Sequence, residues 1–119
     1  MPACLLVGGK ALALASGLFT LSWTHSVEKV EWRETWSVTP AGLQIVEARV
    51  KGSGAGMEPP PDARLEDGWW VYVPPLRPMP ELRLAASGAT ASPWHLCADG
   101  RCFDLGARPG EPVVMEPCP

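Results

Sequence analysis

The side chains best suited to chemistry lie in or beside one short segment, residues 25–34. His25, Ser26 and Glu28 are close neighbours in the chain, and Glu34 follows within an apolar pattern. Histidine, serine and a carboxylate are the groups of a nucleophilic triad. The triad interpretation is weak, because adjacent strand residues point to opposite faces and no G-x-S-x-G turn is present. Hydrogen bonding within a turn is favoured for His25 and Glu28, ligand binding comes next, and a His/Glu-dependent hydrolase is the least favoured.

Glu34 is a carboxylate between two tryptophans, Trp32 and Trp36, at a spacing of two residues. On the apolar face of a strand such a group must be paired, hydrogen-bonded or protonated. One interpretation is a buried glutamate that accepts a bond from a backbone or Trp N–H. The other is a polar anchor inside an aromatic-lined pocket. A metal-dependent site with His25 is disfavoured, because a simple hairpin separates the two side chains by about 13 Å; no metal or cofactor is predicted.

A glycine-rich run, residues 52–56, is the other candidate binding element. It reads Gly-Ser-Gly-Ala-Gly, so that Gly54, Ala55 and Gly56 end it. Successive backbone N–H groups in such a loop can hold an anion. A tight turn packed against the neighbouring hairpin is the plainer interpretation, since no helix follows as it does in nucleotide sites. A small anionic solute is therefore one ligand hypothesis.

Two alternating runs within residues 19–38 position these groups. Phe19, Leu21, Trp23 and His25 share one face of the first run, and Trp32, Glu34 and Trp36 share one face of the second. A period of two is the strand signature, and residues 26–29 predict a hairpin turn. A three-residue loop over 40–42 would then set Trp36 against Val46 and Glu34 against Ala48.

Composition and spacing predict an all-β fold for the whole chain. The 119 residues suit a single domain, residues 1–119, and Gly and Pro, at 12 and 14, leave little room for helices. About nine short strands indicate an antiparallel β-sandwich or a partly open β-barrel. A net charge of −3 argues against nucleic acid, and no apolar run is long enough for a membrane span.

The first residues have two interpretations, a signal peptide or a β-hairpin. The run 3–18 is apolar, but Met1-Pro2 supplies no basic start and Lys10 interrupts it. Gly8-Gly9 is a two-residue hairpin turn. We therefore predict strands over 3–7 and 10–15.

Four cysteines, Cys4, Cys97, Cys102 and Cys118, allow three full pairings. Asp99-Gly100 predicts a hairpin turn that places Cys97 opposite Cys102 in a non-hydrogen-bonded pair, with Cα atoms roughly 4.5 Å apart and within disulfide range. Cys4 and Cys118 would then join the two termini. Disulfides imply an oxidising compartment, and four reduced cysteines would imply the cytoplasm.

Three motifs together resemble a known bacterial family. They are THSVEKVEWRE (24–34), GSGAGM (52–57) and LCADGRCFDL (96–105), in this order. They are similar to the domain of unknown function 1850, whose genes commonly lie beside those of TAXI-type TRAP transporters. The resemblance implies a periplasmic or cell-envelope accessory role, with the TRAP solute receptor or membrane subunits as partners. It implies no enzymatic activity.

The sequence thus predicts a non-enzymatic binding module whose surface is formed by His25, Ser26, Glu28, Trp32, Glu34 and the glycine run. An enzyme using His25 and a carboxylate, and a purely structural envelope protein without a ligand, are the alternatives.

Overall fold

A computed structural model describes residues 3–24, 31–51, 61–85, 93–106 and 110–119. Over these ranges it contains eleven strands in two antiparallel sheets, and no helix that could cross a lipid bilayer. The strands are β1 (Ala3–Val7), β2 (Lys10–Leu14), β3 (Leu18–Thr24), β4 (Glu31–Thr39), β5 (Gly42–Lys51), β6 (Arg64–Glu66), β7 (Trp69–Tyr72), β8 (Leu82–Leu84), β9 (Trp94–Ala98), β10 (Arg101–Leu105) and β11 (Val113–Pro117). The all-β prediction is confirmed.

The two sheets form the layers of a sandwich. The larger sheet has the strand order β10-β9-β3-β4-β5-β7-β6, and the smaller one has the order β2-β1-β11-β8. Each sheet keeps two edges and neither closes into a barrel. Of the two predicted architectures, a β-sandwich and a partly open β-barrel, the sandwich is therefore the correct one.

The core lies between the sheets and comes from the inward face of each strand. Alternation along β3 and β4 places Phe19, Leu21 and Trp36 inward, and all three are buried. The smaller sheet covers them with Leu5, Leu14, Leu84 and Met115. On the outer face of β4, Arg33 pairs with Glu31 at 3.1 Å, as the alternation predicts.

Both predicted disulfides are present. Cys97 and Cys102 are register partners across the β9–β10 hairpin, with a Cα–Cα distance of 4.1 Å. Cys4 joins Cys118 at a Cα–Cα distance of 5.3 Å, and the backbone N–H of Cys118 donates to the carbonyl of Cys4. The terminal bridge therefore ties β1 to the residue that follows β11, its neighbour in the smaller sheet.

Two local hairpins form as predicted. Gly8 and Gly9 connect β1 to β2 with φ angles of 57° and 86°, the left-handed pair of a type I′ turn. Across β9 and β10, His95 faces Asp104, with 2.6 Å between Nδ1 and Oδ1. Residues 3–14 form this first hairpin in the structure.

Two predicted elements need correction. The residue types of Leu65-Glu66-Asp67-Gly68 predict a turn, but Arg64–Glu66 is an edge strand, and Asp67-Gly68 is the turn that joins it to β7. The prolines that flank residues 111–115 predict a last strand there, at a sheet edge. It lies at Val113–Pro117 inside the smaller sheet, between β1 and β8, where Met115 is fully buried.

The connection between β4 and β5 also differs from the prediction. The turn has two residues, Pro40-Ala41, because Thr39 and Gly42 are register partners. A β-bulge then shifts the register after Thr35, so that Trp36 faces Ile45 and Val46 is exposed. The bulge restores the predicted pair of Glu34 with Ala48, and Trp32 faces Val50 in the same register.

A proline-rich connection, residues 73–81, takes the chain from the larger sheet to the smaller one. Met79 forms an isolated antiparallel bridge with Leu43, through two backbone hydrogen bonds of 2.7 and 2.8 Å. This bridge fixes the chain just before Glu81 and β8. The approach is close, because a Cβ atom on Gly42 would lie 2.5 Å from the Met79 carbonyl oxygen.

Candidate functional site

Glu34 lies on the inner face of β4, near the middle of the larger sheet. The register sets it between Leu21 of β3 and Ala48 of β5. The same cross-strand row continues to Leu96 on one side and to Tyr72 on the other. Three apolar residues of this row, Leu21, Ala48 and Leu96, are buried, so the carboxyl group of Glu34 emerges from an apolar surface.

One hydrogen bond partly satisfies this carboxyl group. The indole Nε1–H of Trp36 donates to Oε1 of Glu34 at 3.0 Å. Among the described residues no donor reaches the second oxygen and no cation pairs with the group. Burial raises the pKa of Glu34, and the bond from Trp36 lowers it by a smaller amount. The predicted Trp N–H partner is therefore confirmed, but it leaves half of the carboxylate unsatisfied.

Tryptophan rings adjoin the carboxyl group at one end of the sheet. Trp23 of β3 is the register partner of Trp32, and their rings stack with centroids 5.9 Å apart and an interplanar angle of 9°. Trp94 of β9 meets Trp23 at 4.7 Å and 50°. The three rings thus form a corner next to the Glu34 row, with Trp23 at its centre.

A cavity of about 450 Å³ opens between the sheets in front of Glu34. The larger sheet contributes the carboxyl group, and the segment 79–84 covers the opposite side. Small-molecule sites in proteins have about this volume, with apolar walls and few polar groups. The cavity is lined by Leu21, Trp23, Glu34, Trp36, Met79, Glu81, Leu82, Arg83, Leu84 and Trp94.

The covering segment supplies the other charged groups of the cavity. Arg83 donates from Nε to Oε1 of Glu81 at 3.0 Å, so these two form an ion pair. The indole Nε1–H of Trp94 donates to the backbone carbonyl of Ala85 at 3.0 Å. This bond holds the first residue of β9 against the residue that follows β8, and it fixes one wall of the cavity.

The structure brings only part of the predicted surface together. Trp32 and Glu34 are both on the inner face; Glu34 lines the cavity, and Trp32 stacks behind Trp23. His25, Ser26, Glu28, Gly54, Ala55 and Gly56 lie outside the described residues. The predictions made for them stay predictions.

Sequence reasoning did not name Trp23, Trp94, Glu81 and Arg83 as site residues. A signal for Trp23 was present, because it alternates with Phe19 and Leu21 and therefore had to share their inner face. Trp94 reaches the site through the pairing of β3 with β9, whose strands are far apart in the chain. Glu81 and Arg83 belong to the opposite sheet, and no local pattern predicts which residues face each other between layers.

Comparison with known proteins identifies one family. A family model described as Domain of unknown function (DUF1850) matches residues 19–105. The matched region contains every residue that lines the cavity and the Cys97–Cys102 disulfide. No curated protein and no solved structure gave a significant match.

Proposed function

The chain belongs to the DUF1850 family, and from this premise we propose that it is a non-enzymatic binding module of an oxidising, extracytoplasmic compartment. It binds a small ligand in the cavity of Glu34 and serves a TAXI-type TRAP transporter. The observation that carries the binding role is the half-satisfied carboxyl group on an aromatic-lined cavity of about 450 Å³.

Glu34 is a half-buried carboxylate, and one of its oxygens has no hydrogen-bond donor among the described residues. This supports ligand binding, because removing a carboxylate oxygen from water is costly without a partner. A buried polar group that lacks hydrogen bonds destabilises the folded state. In a purely structural protein, a neutral residue would fill the position of Glu34 at lower cost. A ligand that supplies the missing donors would account for the group.

The chemistry of the described cavity wall favours binding over catalysis. The described residues that line the cavity include no serine, cysteine or histidine, the usual nucleophiles and bases of hydrolases. Its carboxylates are Glu34, which accepts from an indole, and Glu81, which is paired with Arg83.

Two disulfides support the proposed compartment. All four cysteines are paired, and such bridges persist in oxidising environments such as the periplasm. The association with a TRAP transporter rests on the family resemblance. That resemblance implies the solute receptor or the membrane subunits of the transporter as partners.

A solute screen by heteronuclear NMR tests the binding role. Trp23, Trp36 and Trp94 all line the cavity from the larger sheet, so their indole N–H signals report on that side of it. We expect at least one solute, in a panel of amines, carboxylates, amino acids and polyols, to shift them saturably. Glu34→Gln should weaken this response, and Glu31→Gln, on the outer face of the same strand, should not. A panel that leaves all three signals unchanged would contradict the proposed binding role.

Mixing experiments test the transporter role separately. The purified chain should associate with the cognate TRAP solute receptor or membrane subunits, with or without solute. Absence of association by both crosslinking and size-exclusion chromatography would contradict that role and leave the binding role standing.

A further inference from the structure

The charges around the cavity do not balance. Among the described residues, its lining contains three charged side chains, Glu34, Glu81 and Arg83. Arg83 and Glu81 neutralise each other as an ion pair at 3.0 Å. Glu34 has no cationic partner among the described residues. The described wall therefore carries one uncompensated negative charge when Glu34 is ionised.

The position of this charge favours a cationic ligand. The pKa of Glu34 is raised by burial, which means that its ionised form lacks sufficient stabilisation in the free protein. An ammonium group in the cavity would supply the missing charge, and one that carries an N–H would also donate to the free oxygen. Charge-assisted hydrogen bonds of this kind are roughly twice as strong as neutral ones.

The aromatic corner adds a second, independent preference for a cation. Trp23 and Trp94 meet at 4.7 Å and 50°, so their ring faces are inclined to each other beside the cavity that both of them line. Indole faces carry negative electrostatic potential and attract cations within about 6 Å of the ring centre. Recognition of quaternary ammonium groups by cages of aromatic rings uses the same attraction.

We infer that the cavity binds a small organic cation, an ammonium compound whose charged nitrogen lies between Glu34 and the indole rings of Trp23 and Trp94. This inference rests on the proposed function, since it names the ligand class of the same site. The ammonium group donates to, or lies against, the free oxygen of Glu34, and its substituents contact the apolar wall formed by Leu21, Leu82 and Leu84.

An inorganic cation fits this site less well. Metal ions need several oxygen, nitrogen or sulfur ligands, and no group of three such side chains occurs among the described residues. A small anion, the ligand hypothesis drawn from the glycine run, would meet the charge of Glu34 here. Its only cationic partner in the described lining, Arg83, is already paired with Glu81.

Probes of the same shape but different charge test whether the cavity recognises the charge of a ligand or only its shape. We would titrate the oxidised full chain, at about pH 7.5, with choline, with the uncharged alcohol in which a carbon replaces the choline nitrogen, and with succinate. The readout is the indole N–H signal of Trp36, which is bonded directly to Glu34. Choline should shift this signal saturably, and its uncharged isostere should bind at least about tenfold more weakly.

Variants locate the effect. Glu34→Gln keeps an acceptor for Trp36 but removes the charge, and it should weaken choline binding by about tenfold or more. Glu31→Gln removes a carboxylate from the outer face of the same strand and should leave the affinity unchanged. The spectrum of each variant reports directly whether the fold is retained, and Glu34→Asp provides a second charged variant in which partial binding is expected.

The outcomes separate this inference from the proposed function. Equal binding of choline and its isostere, or unchanged choline binding in Glu34→Gln, would overturn the cation preference while a binding cavity remains. Succinate binding without choline binding would overturn it in favour of an anion. A wild-type chain that binds neither of the two choline-shaped probes nor succinate overturns the inference, and if the wider solute panel also fails, the proposed function falls with it.

Discussion

Glu34 and Trp36 lie two residues apart on β4 and are joined on the inner face of the sheet by a hydrogen bond of 3.0 Å from Nε1 to Oε1. Both residues line the cavity, but Trp36 is buried whereas Glu34 is half-buried. The bond orients the carboxyl group but satisfies only one of its oxygens. The glutamate is therefore held in place by the core and left available to a ligand.

Glu34→Gln should stabilise the free protein at neutral pH. Because burial raises the pKa of Glu34 in the folded state, its stabilising contribution is fully present below the unfolded pKa of about 4.3. That contribution is lost as the pH rises through the higher folded value. Urea unfolding at several pH values should therefore show the variant gaining stability over the wild type as the pH increases. A difference that does not change with pH would contradict the burial of this group.

Gly42→Ala should destabilise the bridge that fixes the covering segment. Gly42 has a φ of 130°, and an added Cβ would lie 2.5 Å from the carbonyl oxygen of Met79. The strain should cost about 2 kcal/mol or more in the free energy of unfolding. Gly110→Ala is the matched control, because its Cβ would meet no atom within 4 Å. Equal stability of the two variants would contradict the close approach of Met79.

The two disulfides should contribute unequally to stability. Cys4–Cys118 spans a sequence separation of 114, and Cys97–Cys102 spans 5. By loop-closure entropy, replacing both cysteines with alanine should cost about 4 to 5 kcal/mol for the long loop and about 2 kcal/mol for the short one. Denaturant unfolding of the two double variants measures the order. A larger loss of unfolding free energy on removal of Cys97–Cys102 would contradict this order. It would show that local strand pairing, rather than loop-closure entropy, determines how much each disulfide stabilises the fold.

Asp99→Asn should remove an acid-sensitive tether between two turns. Asp99 accepts hydrogen bonds from the backbone N–H of Ala15 at 2.8 Å and from the hydroxyl of Ser16 at 3.2 Å. These bonds lower the pKa of Asp99, the backbone bond from Ala15 most of all. The stabilisation is therefore present above the ordinary aspartate pKa of about 3.9 and lost as the pH falls through the lower folded value.

Asp67→Asn is the matched control for this tether. Both aspartates begin an Asp-Gly turn with a φ of 50°, which asparagine tolerates. Acid unfolding followed by fluorescence should show that Asp99→Asn loses stability at neutral pH and has a flatter profile below about pH 4. If Asp99→Asn and Asp67→Asn have the same stability and the same pH dependence, the contact of Asp99 with Ala15 contributes nothing measurable to stability.

Local patterns predicted the hairpins because their chemistry is contained in a few neighbouring residues. Asp99-Gly100 determines the turn that places Cys97 opposite Cys102, and Gly8-Gly9 does the same for β1 and β2. The alternation of Trp32, Glu34 and Trp36 likewise predicted the face on which the carboxyl group lies.

Relations between distant strands could not be predicted in this way. The pairing of β3 with β9 brings Trp94 to Trp23, and no residue pattern near either strand specifies it. The interior place of β11 follows from pairing with both β1 and β8. The turn between β4 and β5 is one residue shorter than predicted, and the bulge beside Val46 shifts the register back by one residue. The predicted pairing of Glu34 with Ala48 is therefore correct only because these two differences from the prediction cancel.

The carboxyl carbon NMR signal of Glu34, followed from about pH 3 to pH 9 with and without choline, tests the central claim most directly. In the part of the chain that the structure describes, the other ionisable groups near it are Glu81 and Arg83 on the covering segment and Tyr72 on β7, whose pKa is also raised by burial. We predict that the pKa of Glu34 lies above the ordinary glutamate value in the free chain and falls when choline is bound. An ordinary or lowered pKa that choline does not change would contradict the claim that Glu34 is a half-buried carboxylate, without a cationic partner among the described residues, that binds a cation.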